Sequence, residues 1–268
     1  MNKAITWIVV AVLALGAGWY FWQQQGLKEL EQVQTLPPQL EPQAEPPAIE
    51  HPVTDIELPP SAEPEPPQPL PALTDSDGEL SAVAAELLGD DAVATLLISE
   101  QIINRLVATI DSLTSAKIAP LMLPWQPVPG AFTVLQSADQ AAISPANAER
   151  YAPMVALVDK VDSTRLVALY RRYYPLFQES YVALGYPSGY FNDRLVAVID
   201  HLLATPEPTG LMALVQVESV YLYADPELEA LSAGQKLLLR LGPEHGAVVR
   251  GKLRQIRALV AKNQERDS

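Results

Sequence analysis

The hydrophobic pattern begins with an uncharged run of 19 residues, from Ala4 to Trp22, in which Thr6 is the one clearly polar side chain. At about 1.5 Å per residue, a helix of this length spans roughly the 30 Å hydrocarbon core of a bilayer. The run ends in four consecutive aromatic residues, of the kind that settle at a membrane interface. The pattern therefore predicts one transmembrane helix over residues 4–22.

The charges beside this run predict its orientation. Lys3 and the amino terminus lie on its N-terminal side, whereas Lys28 on the other side is offset by Glu29 and Glu31. Positive charge is retained in the cytoplasm, so residues 1–3 are predicted to form a cytoplasmic tail and the remainder to lie outside the membrane. A cleaved signal peptide is the alternative, because small residues at positions 14–18 lie near a plausible processing point.

After the apolar run, residues 23–74 lose hydrophobic periodicity. Between Gln32 and Thr74 there are 13 prolines, interleaved with acidic side chains. Proline fixes φ and removes a backbone donor, and like charges on a chain with few large apolar groups oppose a packed core. The segment is predicted to be a disordered Pro/Glu-rich linker, acting either as a spacer or, less simply, as a recruitment site for a proline-binding partner.

Residues 75–268 show the 3.6-residue period of amphipathic helices. A capping box over Ser76 to Glu79 predicts the first helix, with Gly89 as its stop, and further helices are predicted after Asp91, Ser99, Ser144 and Asp162. The helix after Asp162 is predicted to be interrupted at Pro175, and later helices to begin near Tyr190 and after Gly242.

Residues 211–223 lack the helical period and are rich in Val, Leu and Tyr, which predicts a strand pair or one irregular strand. The predicted fold is therefore mainly α: a single helical domain with a small β element, preceded by one transmembrane helix and the disordered linker.

Composition narrows the classes of function. The chain carries a net charge of −14, which argues against nucleic acid as a partner, because phosphate binding needs concentrated positive charge. There is no cysteine, so neither a disulfide framework nor a thiolate metal site is available, and no nucleotide-binding or hydrolase motif occurs. The three histidines offer no metal-ligand spacing. The sequence predicts no metal and no cofactor.

Three runs of residues carry a resemblance to a known family: positions 169–178 (LYRRYYPLFQ), positions 185–187 with 190–195 (GYP and YFNDRL), and positions 224–226 with 232–236 (ADP and SAGQK). Together they resemble the bacterial family catalogued as domain of unknown function 3014, over a span from roughly Leu73 to Arg257. The resemblance implies a bacterial, membrane-anchored protein. It supplies no activity and no catalytic residue.

The same region contains a candidate ligand site, because six tyrosines and two phenylalanines between Tyr170 and Phe191 are accompanied by polar and charged side chains. Aromatic rings beside guanidinium groups can line a groove for a glycan, a peptide or an anion. The alternative is that the rings form the core and the charges form structural pairs between helices. The candidate residues are Arg171, Gln178, Tyr186, Tyr190, Asn192, Asp193 and Arg194.

A second candidate is a basic stripe on the last predicted helix, where Arg250, Arg254 and Arg257 recur at positions i, i+4 and i+7. Such a stripe can bind an anionic polymer, although a solvated helix face gives the same pattern. Asp193 and Asp200 are seven residues apart and could serve acid-base chemistry, but adjacent Asp200 and His201 point about 100° apart on a helix. No residue is therefore assigned a catalytic role.

These features predict a membrane-tethered interaction or scaffold module in the envelope of a bacterium. Residues 4–22 would hold it in the inner membrane, with the helical domain in the periplasm binding an envelope protein or an anionic polymer. Two alternatives remain open: an enzyme that acts on cell-wall material, with Asp193 or Asp200 in its site, and a purely structural domain that self-associates. The sequence leaves the oligomeric state open.

Overall fold

The computed structural model describes residues 48–59, 69–137 and 140–261. The predicted transmembrane helix and most of the predicted linker lie outside these residues. Within them, no helix is long and apolar enough to cross a membrane.

The described part of the chain is mainly helical. Ten α-helices are named here in chain order: α1 Asp77–Leu88, α2 Asp90–Leu96, α3 Ile102–Ser112, α4 Ala146–Glu149, α5 Ala152–Lys160, α6 Ser163–Ala183, α7 Phe191–Leu203, α8 Pro226–Ala230, α9 Ala233–Arg240 and α10 Gly242–Val260. The predicted mainly helical fold is confirmed.

Helix α1 begins where the sequence predicts, but the predicted capping box does not form. Ser76 has helical backbone angles, and its hydroxyl donates to the carbonyl of Leu73 at 2.8 Å. Glu79 instead accepts hydrogen bonds from Tyr173 and Arg172 on α6, because tertiary partners compete with the local cap. Gly89 ends the helix with φ at 93°, as predicted.

Helix α6 is one continuous element of 21 residues, so the predicted interruption at Pro175 is wrong. Its N-terminus is capped as predicted, because Asp162 accepts the Arg165 amide at 2.7 Å. Tyr173, Tyr174 and Leu176 flank the proline and are all buried. Their packing outweighs the local cost of one missing backbone hydrogen bond, which is about 3 kcal/mol for a proline inside a helix.

The β element is larger than predicted. It is a four-stranded antiparallel sheet in the order β1-β2-β3-β4, built from β1 Val134–Ser137, β2 Gln140–Ile143, β3 Ala213–Val217 and β4 Val220–Tyr223. The predicted strand pair corresponds to β3 and β4. Strands β1 and β2 were not predicted, since each is four residues long and they contain Gln, Ser and Ala, which are not strong strand formers.

Aromatic rings of α6 and α7 pack against Ile103 and Val107 of α3 and form the centre of one core cluster. Phe191 has no exposed surface and contacts the rings of Tyr170, Phe177 and Tyr181, with centroids 5.4–6.4 Å away. Further clusters lie between α7 and α10 and behind the sheet.

Part of the predicted linker packs against this domain. Within residues 48–59, a 3₁₀ turn at Val53–Asp55 precedes Ile56, which is only 4% exposed. Ile56 joins a core cluster with Val167, Val196 and Val260. Burial of Val53, Ile56 and Leu58 outweighs the tendency of this acidic segment toward an extended solvated chain.

Two helical glycines give a matched test of the packing. A Cβ at Gly234 on α9 would lie 2.7 Å from the Leu113 carbonyl and from a Leu202 methyl, whereas one at Gly251 on α10 would meet nothing within 4 Å. We expect Gly234→Ala to lower the free energy of unfolding by about 1–3 kcal/mol through overpacking. Gly251→Ala should raise it by about 0.5–1 kcal/mol. Urea denaturation of both variants measures the difference, and equal effects would contradict the packing described.

Candidate functional site

Six of the seven candidate ligand residues lie where the end of α6 meets the start of α7. Tyr190 is the N-terminal flanking residue of α7, and Asn192, Asp193 and Arg194 form its first turn. The structure divides these six into three groups and leaves Arg171 apart. Tyr190, Asn192 and Asp193 bind the segment 48–53, Gln178 joins the two helices, and Tyr186 and Arg194 bind Asp111, whereas Arg171 is exposed on α6.

Asp193 accepts hydrogen bonds from two consecutive backbone amides of the predicted linker. One carboxylate oxygen lies 2.7 Å from the amide nitrogen of His51, and the other lies 3.1 Å from that of Glu50. Charge-assisted bonds of this kind are stronger than neutral ones. The carboxylate that resembled a catalytic or ligand-binding group therefore holds the chain's own backbone.

Tyr190 and Asn192 complete this contact. The Tyr190 hydroxyl accepts the Val53 amide at 2.8 Å. Asn192 has no exposed surface, and its side-chain amide donates to the carbonyl of His51 at 2.8 Å and to that of Val260 at 2.9 Å. One buried amide thus joins the incoming segment to the end of α10, and its oxygen accepts the Tyr170 hydroxyl at 3.1 Å.

Gln178 fixes the corner between α6 and α7. Its side-chain oxygen accepts the Tyr174 hydroxyl and the Phe191 amide, both at 2.9 Å, and its nitrogen donates to the Gly189 carbonyl at 2.7 Å. The Phe191 amide is one of those that a helix N-terminus leaves without an intrahelical partner, so Gln178 satisfies a donor that would otherwise be buried and unpaired.

Arg194 and Tyr186 both bind Asp111 on α3. The Arg194 guanidinium lies 2.7 Å from the Asp111 carboxylate, and it also donates to the Asp111 carbonyl and the Thr114 hydroxyl at 2.7 Å each. Tyr186 donates to the same carboxylate at 3.1 Å. These bonds connect the C-terminal end of α3 to α7, which is the structural role weighed against ligand binding.

The tyrosines of this region are held in their protonated form. Burial raises the pKa of Tyr170 well above its usual value, and the nearby Tyr174, Tyr190 and Asp193 raise it further. Burial also raises the pKa of Tyr174, with Tyr190 adding to the effect. Both hydroxyls therefore remain neutral donors at physiological pH, as their hydrogen bonds to Asn192 and Gln178 require.

The predicted basic stripe does not form one surface. Arg250 is 4% exposed, with its guanidinium 3.5 Å from the Glu207 carboxylate. Arg257 is bound by both carboxylate oxygens of Asp200, and Arg254 is exposed. The i, i+4, i+7 spacing correctly placed the three arginines on one helix face. One of them is buried and another is paired with a carboxylate, so the face presents no continuous positive charge.

The groups considered for acid-base chemistry are also engaged. Asp200 pairs with Arg257, and a ring nitrogen of His201 lies 2.9 Å from the Ser232 hydroxyl, in the capping box of α9. Within the described ranges, no group of three or more His, Asp or Glu residues is placed to hold a metal ion.

A surface that the sequence reasoning missed is the outer face of the sheet. Val215 pairs with Leu222 and Val217 with Val220, so these four side chains lie on the same face. The residue pairs between β1 and β2, and between β2 and β3, place the side chain of Leu135 on the same face. The Val and Leu residues of β3 were the available signal, but they did not reveal a face because β1 and β2 were not predicted.

Beside this face lies a cavity of about 300 Å³. Its apolar lining includes Ile143, Met212, Leu239 and Leu241, and Leu211, which is 60% exposed, also lines it. Leu211 lies two residues before β3, at the edge of the sheet. Ile143, Met212 and Leu239 belong to the core cluster behind the sheet, so the cavity opens at the sheet edge and not on its outer face.

The fold and this site define a mainly helical domain with a small antiparallel sheet. The sequence profile described as "Protein of unknown function (DUF3014)" matches residues 102–257, which is more than half of the chain. The chain belongs to that family, as the residue runs in α6, α7 and α9 indicated. No curated protein and no solved structure gave a significant match.

The buried tyrosines predict the behaviour of the domain at high pH. Burial raises the pKa of Tyr173 from 10.0 to about 12, and its hydrogen bond to Glu79 adds to the effect. A pKa that is higher in the folded state gives stability that is complete below the unfolded pKa and lost as the pH rises through the folded pKa. We therefore expect the free energy of unfolding to fall between pH 10 and pH 12.

Urea denaturation across that range measures the fall, and Tyr173→Phe should make it shallower because the variant lacks one titrating group. Equal pH dependence in the variant and the natural protein would contradict the assignment.

Proposed function

We propose that this protein is a membrane-tethered interaction module of the bacterial envelope. Residues 4–22 would anchor it in the inner membrane, and the helical domain would act in the periplasm. The supporting features of the sequence are the 19-residue uncharged run, the lysine on its N-terminal side and the proline-rich acidic segment that follows. The observation that carries the interaction role is the exposed apolar face of the sheet.

This face is both apolar and exposed. Leu135 and Val215 are each 45% exposed, Val217 is 47% exposed and Val220 is 55% exposed. No charged side chain occupies an outward position of the four paired strands. Contiguous apolar surface of this kind on a folded domain marks sites of association, because its exposure to water is unfavourable.

The occupant we propose is another envelope protein. Four strands at about 4.8 Å spacing and four residues at about 3.3 Å rise give a face of roughly 250 Å², against about 800 Å² per partner in a stable complex. A second copy of the chain, docked with a two-fold axis through this face, would bury little area beyond the face itself. That area is below what a stable complex needs. A different protein can also cover Leu211 and place an apolar side chain in the adjoining cavity.

Crosslinking in cells tests this surface. With a photo-crosslinking residue at Val217, we expect a covalent adduct with one protein of different sequence, identified by mass spectrometry. Adding Val215→Glu should reduce the yield roughly tenfold or more, because a buried unpaired charge at an interface costs several kcal/mol. Val182→Glu is the matched control, since Val182 is 41% exposed on α6, and it should leave the yield unchanged.

An adduct between two copies of this chain would support self-association instead. Absence of any adduct, or equal yields in both glutamate variants, would contradict an interaction through the sheet.

A further inference from the structure

The segment 48–58 is bound mainly through its backbone. Three of its amides, those of Glu50, His51 and Val53, donate to side chains at the start of α7, and the carbonyl of His51 accepts from Asn192. The donor-acceptor distances are 2.7–3.1 Å. This is how domains that bind extended peptides obtain affinity: backbone bonds hold the chain while pockets select the side chains.

The selecting side chains are the apolar residues Val53, Ile56 and Leu58. The 3₁₀ turn at Val53–Asp55 is followed by the bond from the Ile56 amide to the Val53 carbonyl, and i and i+3 positions of such a turn lie on the same side. Val53 and Ile56 accordingly pack into the core cluster that lies between α7 and α10, and Leu58 packs beside them. The intervening Thr54 and Asp55 are exposed.

We propose that the surface holding this segment, at the start of α7 and the end of α10, is a peptide-binding site, and that residues 48–58 are its exchangeable resident ligand. The segment joins the rest of the domain through only the residues between 59 and 69, so the covalent link gives it an effective concentration on the order of millimolar. A free peptide with apolar residues at the spacing of Val53, Ile56 and Leu58 competes with it for the same backbone and side-chain contacts.

Binding of a labelled synthetic peptide of residues 48–59 to the full-length protein in detergent solution tests the proposal. In the Ile56→Asp chain the resident segment no longer docks, so we expect this chain to bind the peptide at least roughly tenfold more tightly than the natural protein. Loss of the buried isoleucine weakens docking of the resident segment by the burial free energy of that side chain. This free energy corresponds to a factor of about ten or more in an equilibrium constant. The Thr54→Asp chain adds the same charge at an exposed position and should behave as the natural protein does.

A second variant locates the binding. Adding Asp193→Asn to the Ile56→Asp chain should weaken peptide affinity, because the amide cannot accept both backbone hydrogen bonds that the carboxylate accepts. Equal binding to the natural and Ile56→Asp chains would overturn the proposal, as would no binding to a folded Ile56→Asp chain. If circular dichroism shows that Ile56→Asp prevents folding, the segment is a fixed part of the core and the proposal also fails.

Discussion

The hydrogen bonds between the first turn of α7 and the backbone of residues 50–53 are the constraint on which the arrangement of this domain depends. Asp193 and Tyr190 bind the segment, and Asn192 joins it to the end of α10. Because Asn192 and Ile56 are buried, loss of these contacts would leave polar groups unpaired and apolar surface exposed. The point where the proline-rich segment meets the domain is therefore held by specific contacts with α7 and the end of α10.

The residues that suggested a ligand site serve the interior for a physical reason. Hydroxyl and amide oxygens can satisfy buried backbone amides at helix ends, and guanidinium groups can satisfy backbone carbonyls there, as readily as they can bind a ligand. Gln178 accepts the amide of Phe191, and Arg194 donates to the carbonyl of Asp111. The surface that we propose for a partner is instead the uncharged outer face of the sheet, which contains Val215 and Val217.

Hydrophobic periodicity predicted the helices because it reports directly which face is buried. It predicted α3, α7 and α10, with Gly89 and Asp162 marking helix ends. The predictions failed where tertiary contacts override local preference. Glu79 binds α6 and so does not complete the predicted capping box, and α6 continues through Pro175 where an interruption was predicted. The binding role of Asp193 could not be predicted, since its partner lies 142 residues away in a segment whose average composition masks Val53 and Ile56.

Amide hydrogen exchange in the full-length protein tests most directly whether this segment is held by α7. The account predicts slow exchange at Glu50, His51 and Val53, and faster exchange at all three in the Asp193→Ala variant, with no change in strand β3. Exchange at these amides as fast as in an unfolded chain, or protection that is unaffected by Asp193→Ala, would contradict it.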